Sequence, residues 1–300
     1  MVNSSYNIQV GLLIKVLPEI AKEQCFALHG GTAINLFHNE MPRLSVDIDL
    51  TYIPLEDRQT SLKNINDALS RIKKSIERNL KSVTVEHRSE ISKLLISTKN
   101  AQIKIEVNET KRGLIEKPEI KTLCKKAQDM FDSFCAISVV GVGQLYGGKI
   151  CAALDRQHPR DLFDIKYFLE NKTVDRNIIK GFLFCLIGSD RPMNEIIQPN
   201  LLNQEKALSN QFEGMSDVEF SNKDFEETRL KLITLIKENL TSADKEFLMS
   251  IKKAEPDWSI YDFRNYPSVE WKLMNIQNLK RNNPKKHQSQ LELLKERLNI

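Results

Sequence analysis

The sequence predicts an α+β protein, with strands and flanking helices over residues 1–140 and a mainly helical lobe over residues 141–300. Three observations carry that expectation. Residues 46–53 alternate in polarity and are rich in β-branched types, the pattern of a half-buried strand. Three further strand-like runs follow at 82–88, 92–98 and 102–108. From residue 143 onward the chain reads as predominantly helical.

Residues 10–22 read as a helix, with Leu12, Leu13, Val16, Leu17 and Ile20 at helical spacing. This helix leads into Gly30-Gly31-Thr32. The glycines permit positive φ and close approach of a ligand to the backbone, and Thr32 suits the N-cap of a helix over 32–39. Free amides at such a helix start bind phosphate; the same three residues also occur in ordinary turns. In the strand at 46–53, Asp47 and Asp49 share one face, about 7 Å apart by the strand rise. Val46, Ile48 and Leu50 take the other face and can bury against a core. Two carboxylates so placed repel each other, and a hard divalent cation relieves the repulsion. Asp47 and Asp49 are therefore candidate metal ligands.

Residues 55–80 read as a longer amphipathic helix through Leu62, Ile65, Leu69, Ile72 and Ile76. The runs 92–98 and 102–108 are separated by three residues, short enough for a hairpin. In the second run Ile103, Ile105 and Val107 face inward, and Lys104, Glu106 and Asn108 face outward. Glu106 is then either a third metal carboxylate or a solvent-facing glutamate beside Lys104. Residues 117–132 read as a polar connector and 135–140 as another short apolar strand.

In the helical part, Lys149 and Arg156 lie two turns apart on one side of a helix whose opposite side carries Ile150, Cys151 and Leu154. Pro159 ends that helix and starts another, with Arg160 and Asp161 in its first turn and Asp164 one turn beyond. Lys149 and Arg156 would hold a triphosphate while Arg160 orients a carboxylate by a bidentate pair. In the plainer alternative Asp161 complements a helix dipole and Lys149 a surface. Further helices are expected at 201–208, 225–240, 246–253, 273–279 and 288–298. The basic residues Lys280, Arg281, Lys285 and Lys286 flank Pro284, as a solvated helix end or as a contact for RNA phosphates.

Three hundred residues suffice for one large or two small domains. Hydrophobic content of 41%, a net charge of +4 and a pI near 8.6 permit nucleic-acid binding without demanding it. Residues 1–8 carry neither a basic n-region nor an apolar h-region, and the longest apolar run, 181–188, is too short for a bilayer. No membrane contact and a cytoplasmic location are expected. Cys25, Cys124, Cys135, Cys151 and Cys185 are scattered among apolar residues, which suits reduced thiols better than disulfides or zinc.

Gly30-Gly31-Thr32-Ala33, Arg43-x-Ser45-x-Asp47-Ile48-Asp49-Leu50, the strand at 103–108 and the segment 149–164 together resemble the AbiEii/AbiGii-type nucleotidyltransferase toxins. The resemblance runs from about residue 26 to residue 170 and includes the later Trp271-Lys-Leu-Met-Asn275 region. Where the family usually has Gly-Ser, this chain has Gly31-Thr32, which keeps the hydroxyl. The resemblance implies a minimal nucleotidyltransferase core related to DNA polymerase β, a mixed sheet with flanking helices, followed by a mostly helical C-terminal lobe that completes the active-site cleft. It also implies a toxin of a bacterial toxin–antitoxin or abortive-infection pair, with a cognate antitoxin as partner. The implied activity is Mg²⁺-dependent transfer of NMP from an NTP to an acceptor, tRNA in some members, with release of pyrophosphate. Mapped onto this chain, Asp47, Asp49 and Glu106 would hold metal. Gly30, Gly31, Thr32, Ser45, Lys149 and Arg156 would bind the nucleotide, and Asp49, Lys149 and Asp161 would be catalytic. Whether Asp161 or Asp164 acts as a base or only orients Lys149 stays open at this level. Two other readings stand beside this one: transfer to a protein or a small molecule, and a non-catalytic module that binds nucleotide or antitoxin.

Overall fold

The computed structural model describes residues 4–300, with side chains from residue 5. Residues 1–3, at the head of the segment read for a leader, lie outside the described residues. The chain divides into two compact units. The first comprises residues 1–141 together with Phe212–Glu219, and the second comprises Val142–Gln211 and Phe220–Ile300.

The first unit begins with α1 (Ser4–Ile20) and β1 (Phe26–His29), then a short helical turn, α2 (Gly30–Ala33), which continues as a wider helical turn over Ile34–His38. Next come β2 (Asp47–Tyr52), α3 (Arg58–Asn79), β3 (Thr84–Arg88), β4 (Lys93–Ser97), β5 (Gln102–Val107), β6 (Glu119–Thr122), α4 (Lys125–Phe131) and β7 (Ala136–Val139). The seven described strands form one sheet in the order β3-β4-β5-β2-β1-β7-β6. It is mixed, because β2 runs parallel to β5 and β1 parallel to β7 while the remaining pairs are antiparallel. Alternation in β2 buries Ile48, Leu50 and Tyr52 and leaves Asp47 and Asp49 half-exposed. Each buried aliphatic side chain contributes roughly 1.5–3 kcal/mol, and that burial fixes which face the aspartates occupy.

Three differences from the sequence reading have clear causes. The four residues of β1, three of them apolar, are too few to show a period, so the strand is recognisable only through its pairing with β2 and β7. The supposed connector at 117–132 contains β6 and α4; β6 is an edge strand with mostly exposed residues, so it lacks the apolar alternation that announces a strand. Thr32 does not cap a helix over 32–39, since the helix starts at Gly30 with His29 at the cap position.

The second unit is helical: α5 (Val142–Arg156), α6 (Pro159–Asn171), α7 (Arg176–Ile187), α8 (Met193–Ile197), α9 (Glu205–Gln211), α10 (Asn222–Asn239), α11 (Ser242–Lys252), α12 (Pro267–Asn282) and α13 (Pro284–Leu298). A Cβ on Gly181 would lie 2.0 Å from the Gly143 carbonyl oxygen, and one on Gly147 would lie 2.2 Å from the Phe182 amide nitrogen. Helices α5 and α7 therefore cross with their main chains in contact, which seats the part of α5 bearing Lys149. The helix expected at 201–208 starts only at Glu205. Ahead of it the Leu202 amide donates to Gln157 (3.0 Å) and its carbonyl accepts from Arg229 (2.7 Å), so side chains take the place of helical bonds there. Helix α12 starts at Pro267, earlier than the expected 273, because proline suits the first helical turn. Among the described residues no helix is long and apolar enough to cross a membrane, and all five cysteines are free thiols.

Two lysines are buried in the second unit. Lys272 donates to the Ser189 and Arg191 carbonyls (2.7 Å each), and Lys252 donates to Gln290 (2.6 Å). Burial pushes both down to about 8. Between that value and the ordinary lysine value the unfolded chain binds more protons, so stability rises with pH. Burial pushes the Cys25 and Cys135 thiols the other way, up to about 11, which erodes stability once unfolded thiols ionise near 9. The lysines therefore dominate between about pH 8 and 9. Urea unfolding should show a gain on the order of 1 kcal/mol across that window, reduced in Lys272→Met; a flat or falling profile would contradict the assignment.

Candidate active site

The predicted residues fall into two clusters, one in each unit. In the first unit, Gly30 sits at φ +70°, a backbone state that favours glycine, and a Cβ there would lie 2.3 Å from Asp49 Oδ2. A Cβ on Gly31 would lie 2.7 Å from Arg43 Nη2 and 3.0 Å from Ser45 Oγ. Gly30 is thus favoured by its backbone conformation, and Gly31 packs closely on Arg43 and Ser45. The Thr32 hydroxyl donates to the Asp47 carbonyl (2.5 Å) and lies 3.0 Å from Ser45 Oγ, with both side chains buried. Asn35 donates to the Gly31 carbonyl (2.9 Å), and buried Arg43 donates to the Leu44 carbonyl (2.8 Å). Buried hydrogen bonds therefore tie the glycine turn to the start of β2, and the side chains of Thr32 and Ser45 are spent on that tie.

Strand register places Asp47 beside Lys104 and Asp49 beside Glu106 on the neighbouring parallel strand, with His29 opposite Asp49 on the other side. Paired residues project to the same face of a sheet, so Asp47, Asp49, Lys104 and Glu106 share one surface. Lys104 Nζ lies 3.9 Å from Asp47 and 3.1 Å from Glu106, while Lys93, register partner of Glu106 on β4, ion-pairs with the other Glu106 oxygen. Burial opposes ionisation of Glu106, but hydrogen bonds from Lys93 and Lys104 and their charges outweigh it and hold the carboxyl below its usual range. Burial likewise opposes the Lys104 ammonium, and the charge of Asp47 and the bond to Glu106 outweigh it, so this lysine is held charged. Among the described residues no three His, Cys, Asp or Glu side chains form a group that could hold a metal as they stand. Two lysines already occupy Glu106, while Asp47 and Asp49 bring to the same face hard oxygens of the kind that suit a hard divalent cation.

In the second unit, Lys149 Nζ is buried between Asp161 (2.8 Å) and Asp164 (2.9 Å), carboxylates that are themselves almost wholly buried. Arg156 forms the fork expected of Arg160: its Nε and Nη2 meet the two oxygens of Asp161 at 2.6 and 3.1 Å. The reason is helical geometry. Arg156 ends α5 and Asp161 opens α6 across a tight turn, with His158 capping α6 through its ring nitrogen. Burial disfavours the Asp161 carboxylate, yet Lys149 and Arg156 outweigh it and hold the group far below the usual carboxylate range. A carboxylate so stabilised is a weak base and a strong orienting group. The Arg156 side chain is 62% exposed, whereas that of Lys149 is 5% exposed.

The sequence model of the AbiEii family, the nucleotidyl transferase toxin of type IV toxin–antitoxin systems, matches residues 12–275. The chain belongs to the AbiEii family. It is therefore a nucleotidyltransferase and a toxin, with a nucleoside triphosphate as substrate and an antitoxin as partner. A comparison with curated protein sequences found no match. Among solved structures the chain is similar to MenT4, a nucleotidyltransferase toxin from Mycobacterium tuberculosis H37Rv, with a TM-score of 0.64 at 13% identity over 91% of this chain and 93% of that one. At that identity the likeness concerns the fold.

For this AbiEii-family chain the sequence reading overlooked three site residues. Lys93 reaches Glu106 only through strand register, which no local pattern reveals. Lys104 had a signal, since it stands two residues before Glu106 and must share its face. Arg43 appeared only as part of a motif; its burial against Gly31 becomes apparent once the chain doubles back from α2 to β2.

Proposed function

We propose that this AbiEii-family enzyme transfers a nucleoside monophosphate from an NTP to a hydroxyl of an RNA acceptor, tRNA foremost, and releases pyrophosphate, with Mg²⁺ as its metal. The observation that carries the reading is the packing of Asp49 against Gly30, with Asp47 on the same sheet face. Asp47 and Asp49 would hold the ion, whose contribution when bound is to draw charge from the phosphate oxygens and orient them. The backbone of Gly30 and Gly31 offers the surface on which phosphates lie closest, while Thr32, Ser45 and Arg43 keep that backbone in register with β2. The acceptor oxygen bonds to the α-phosphorus as the bond to the bridging oxygen breaks. The hydroxyl proton leaves to water, because Glu106 and Asp161 are both held in ion pairs below the usual carboxylate range and are poor bases. Within the second unit Arg156 presents an exposed guanidinium that suits a phosphate. Asp161 positions it, and Lys149 fixes Asp161 and Asp164. A cytoplasmic place of action, where NTP and RNA meet, belongs to this reading.

Incubation with each α-labelled NTP, Mg²⁺ and either total RNA or total protein tests it. Labelled RNA together with pyrophosphate is expected. Label in protein or in a small molecule would move the acceptor to another class, and no label would refute the proposal. Glu106→Gln should keep transfer within roughly ten-fold of the parent, since two lysines already occupy that carboxylate. A loss as large as that of an Asp49 variant would instead make Glu106 a metal ligand.

A further inference from the structure

The basic residues around Pro284 are not absorbed by the site described above. Arg281 closes α12, where a cation complements the helix dipole, and Lys280 is turned aside to Glu255 (3.0 Å) and the Lys253 carbonyl (3.0 Å). Lys285 and Lys286 stand at the opposite kind of helix end. They occupy the first turn of α13, which holds no acidic residue, so their charges add to the positive pole of the helix. This arrangement costs stability, and Arg281, Lys285 and Lys286 are all exposed.

The outer face of α12 carries a second feature. Trp271, Met274, Asn278 and Arg281 follow one another at three- and four-residue steps and so line one stripe of the helix. Trp271 is 50% exposed and Met274 43%, while Val269, Lys272 and Ile276 on the opposite side are buried. The stripe runs about 15 Å from Trp271 to Arg281 by the α-helical rise. It passes from an open aromatic ring through Asn278 to Arg281, which donates to the Asn278 side chain (3.2 Å), with amide side chains at Asn275 and Gln277 beside it. Protein-binding patches gather contiguous apolar area, whereas one aromatic followed by amides and cations matches a strand of bases and phosphates.

We propose that the outer face of α12 and the α12–α13 turn bind a single-stranded stretch of RNA, with a base stacked on Trp271 and phosphates held by Arg281, Lys285 and Lys286. The proposal rests on the RNA-acceptor reading and names a surface for that acceptor. Binding of a dye-labelled, short single-stranded RNA to the full chain, without NTP, tests it by fluorescence anisotropy. Trp271→Ala should weaken binding roughly ten-fold and abolish the RNA-induced quenching of tryptophan emission. The double variant Lys285→Glu/Lys286→Glu should weaken it at least as much and flatten the slope of log affinity on log salt by about 1.4. All three positions are open to solvent, and melting temperature checks that each variant folds. The surface is refuted if wild type fails to bind the RNA, or if both variants bind it as tightly as wild type does, including the case in which they lose only neutralisation by the antitoxin. Thermal stabilisation by ATP and Mg²⁺ should be unchanged in both variants. If no RNA is labelled from NTP while the variants still lose RNA binding, the acceptor assignment fails and the surface stands; labelled RNA with normal binding by the variants has the opposite meaning.

Discussion

Asp49→Asn is expected to cut NTP-dependent transfer by at least about 10³-fold while the melting temperature holds or rises slightly. The substitution keeps the shape that packs against Gly30 and removes only the charge. A metal–phosphate contact supplies several kcal/mol to a transition state, and about 4 kcal/mol corresponds to that loss in rate. Stability should not follow activity, because Asp47 and Asp49 stand two residues apart on one strand face, where like charges repel. Initial rates with a labelled NTP, beside a thermal melt in EDTA, separate the two effects. Transfer within ten-fold of wild type would remove Asp49 from the site, and a large fall in melting temperature would recast it as a structural residue.

Lys149→Met is expected to destabilise the second unit by about 3–5 kcal/mol, a fall of roughly 10 °C in its melting temperature. The lysine is the one cation that touches both Asp161 and Asp164 in the pairs described, and those carboxylates are almost fully buried. Arg156 still reaches Asp161 in the variant. The pH dependence should change sign. In the wild type the depressed Asp161 value means that its contribution is complete above the ordinary aspartate value and is lost as pH falls through the lower folded value. In the variant, burial without the cation raises the folded carboxyl above the unfolded one, so the variant should regain stability as pH falls from 7 towards 5. Parallel melts of both proteins across that range check the claim. A variant whose stability does not rise relative to wild type between pH 7 and 5 would show that Lys149 does not neutralise the pair.

Local chemistry determined a good deal here. Alternation at residues 46–53 set the face of Asp47 and Asp49, because a one-residue slip would have buried both charges. Helical spacing put Lys149, Arg156, Asp161 and Asp164 within reach of one another, since a proline-started helix follows directly on α5. The strands at 84–88, 93–97 and 102–107 followed from periodicity alone.

What periodicity cannot carry is pairing between distant segments. β1 and β6 exist because β7 and β2 lie beside them, and their own residues show no period that announces them. The state of Glu106 belongs to the same class: parity put it on the right face, but only the register of β4 with β5 brought Lys93 to it and turned a free carboxylate into a paired one. In the helical unit the sequence reading assigned Arg156 to a triphosphate, and the turn between α5 and α6 brings it to Asp161 as a fork. The sequence by itself determined which side chains were available and which face each took, because those are set by the three or four residues on either side. The tertiary structure decided which charges met, because an ion pair depends on distances of a few ångström between residues that the chain holds far apart.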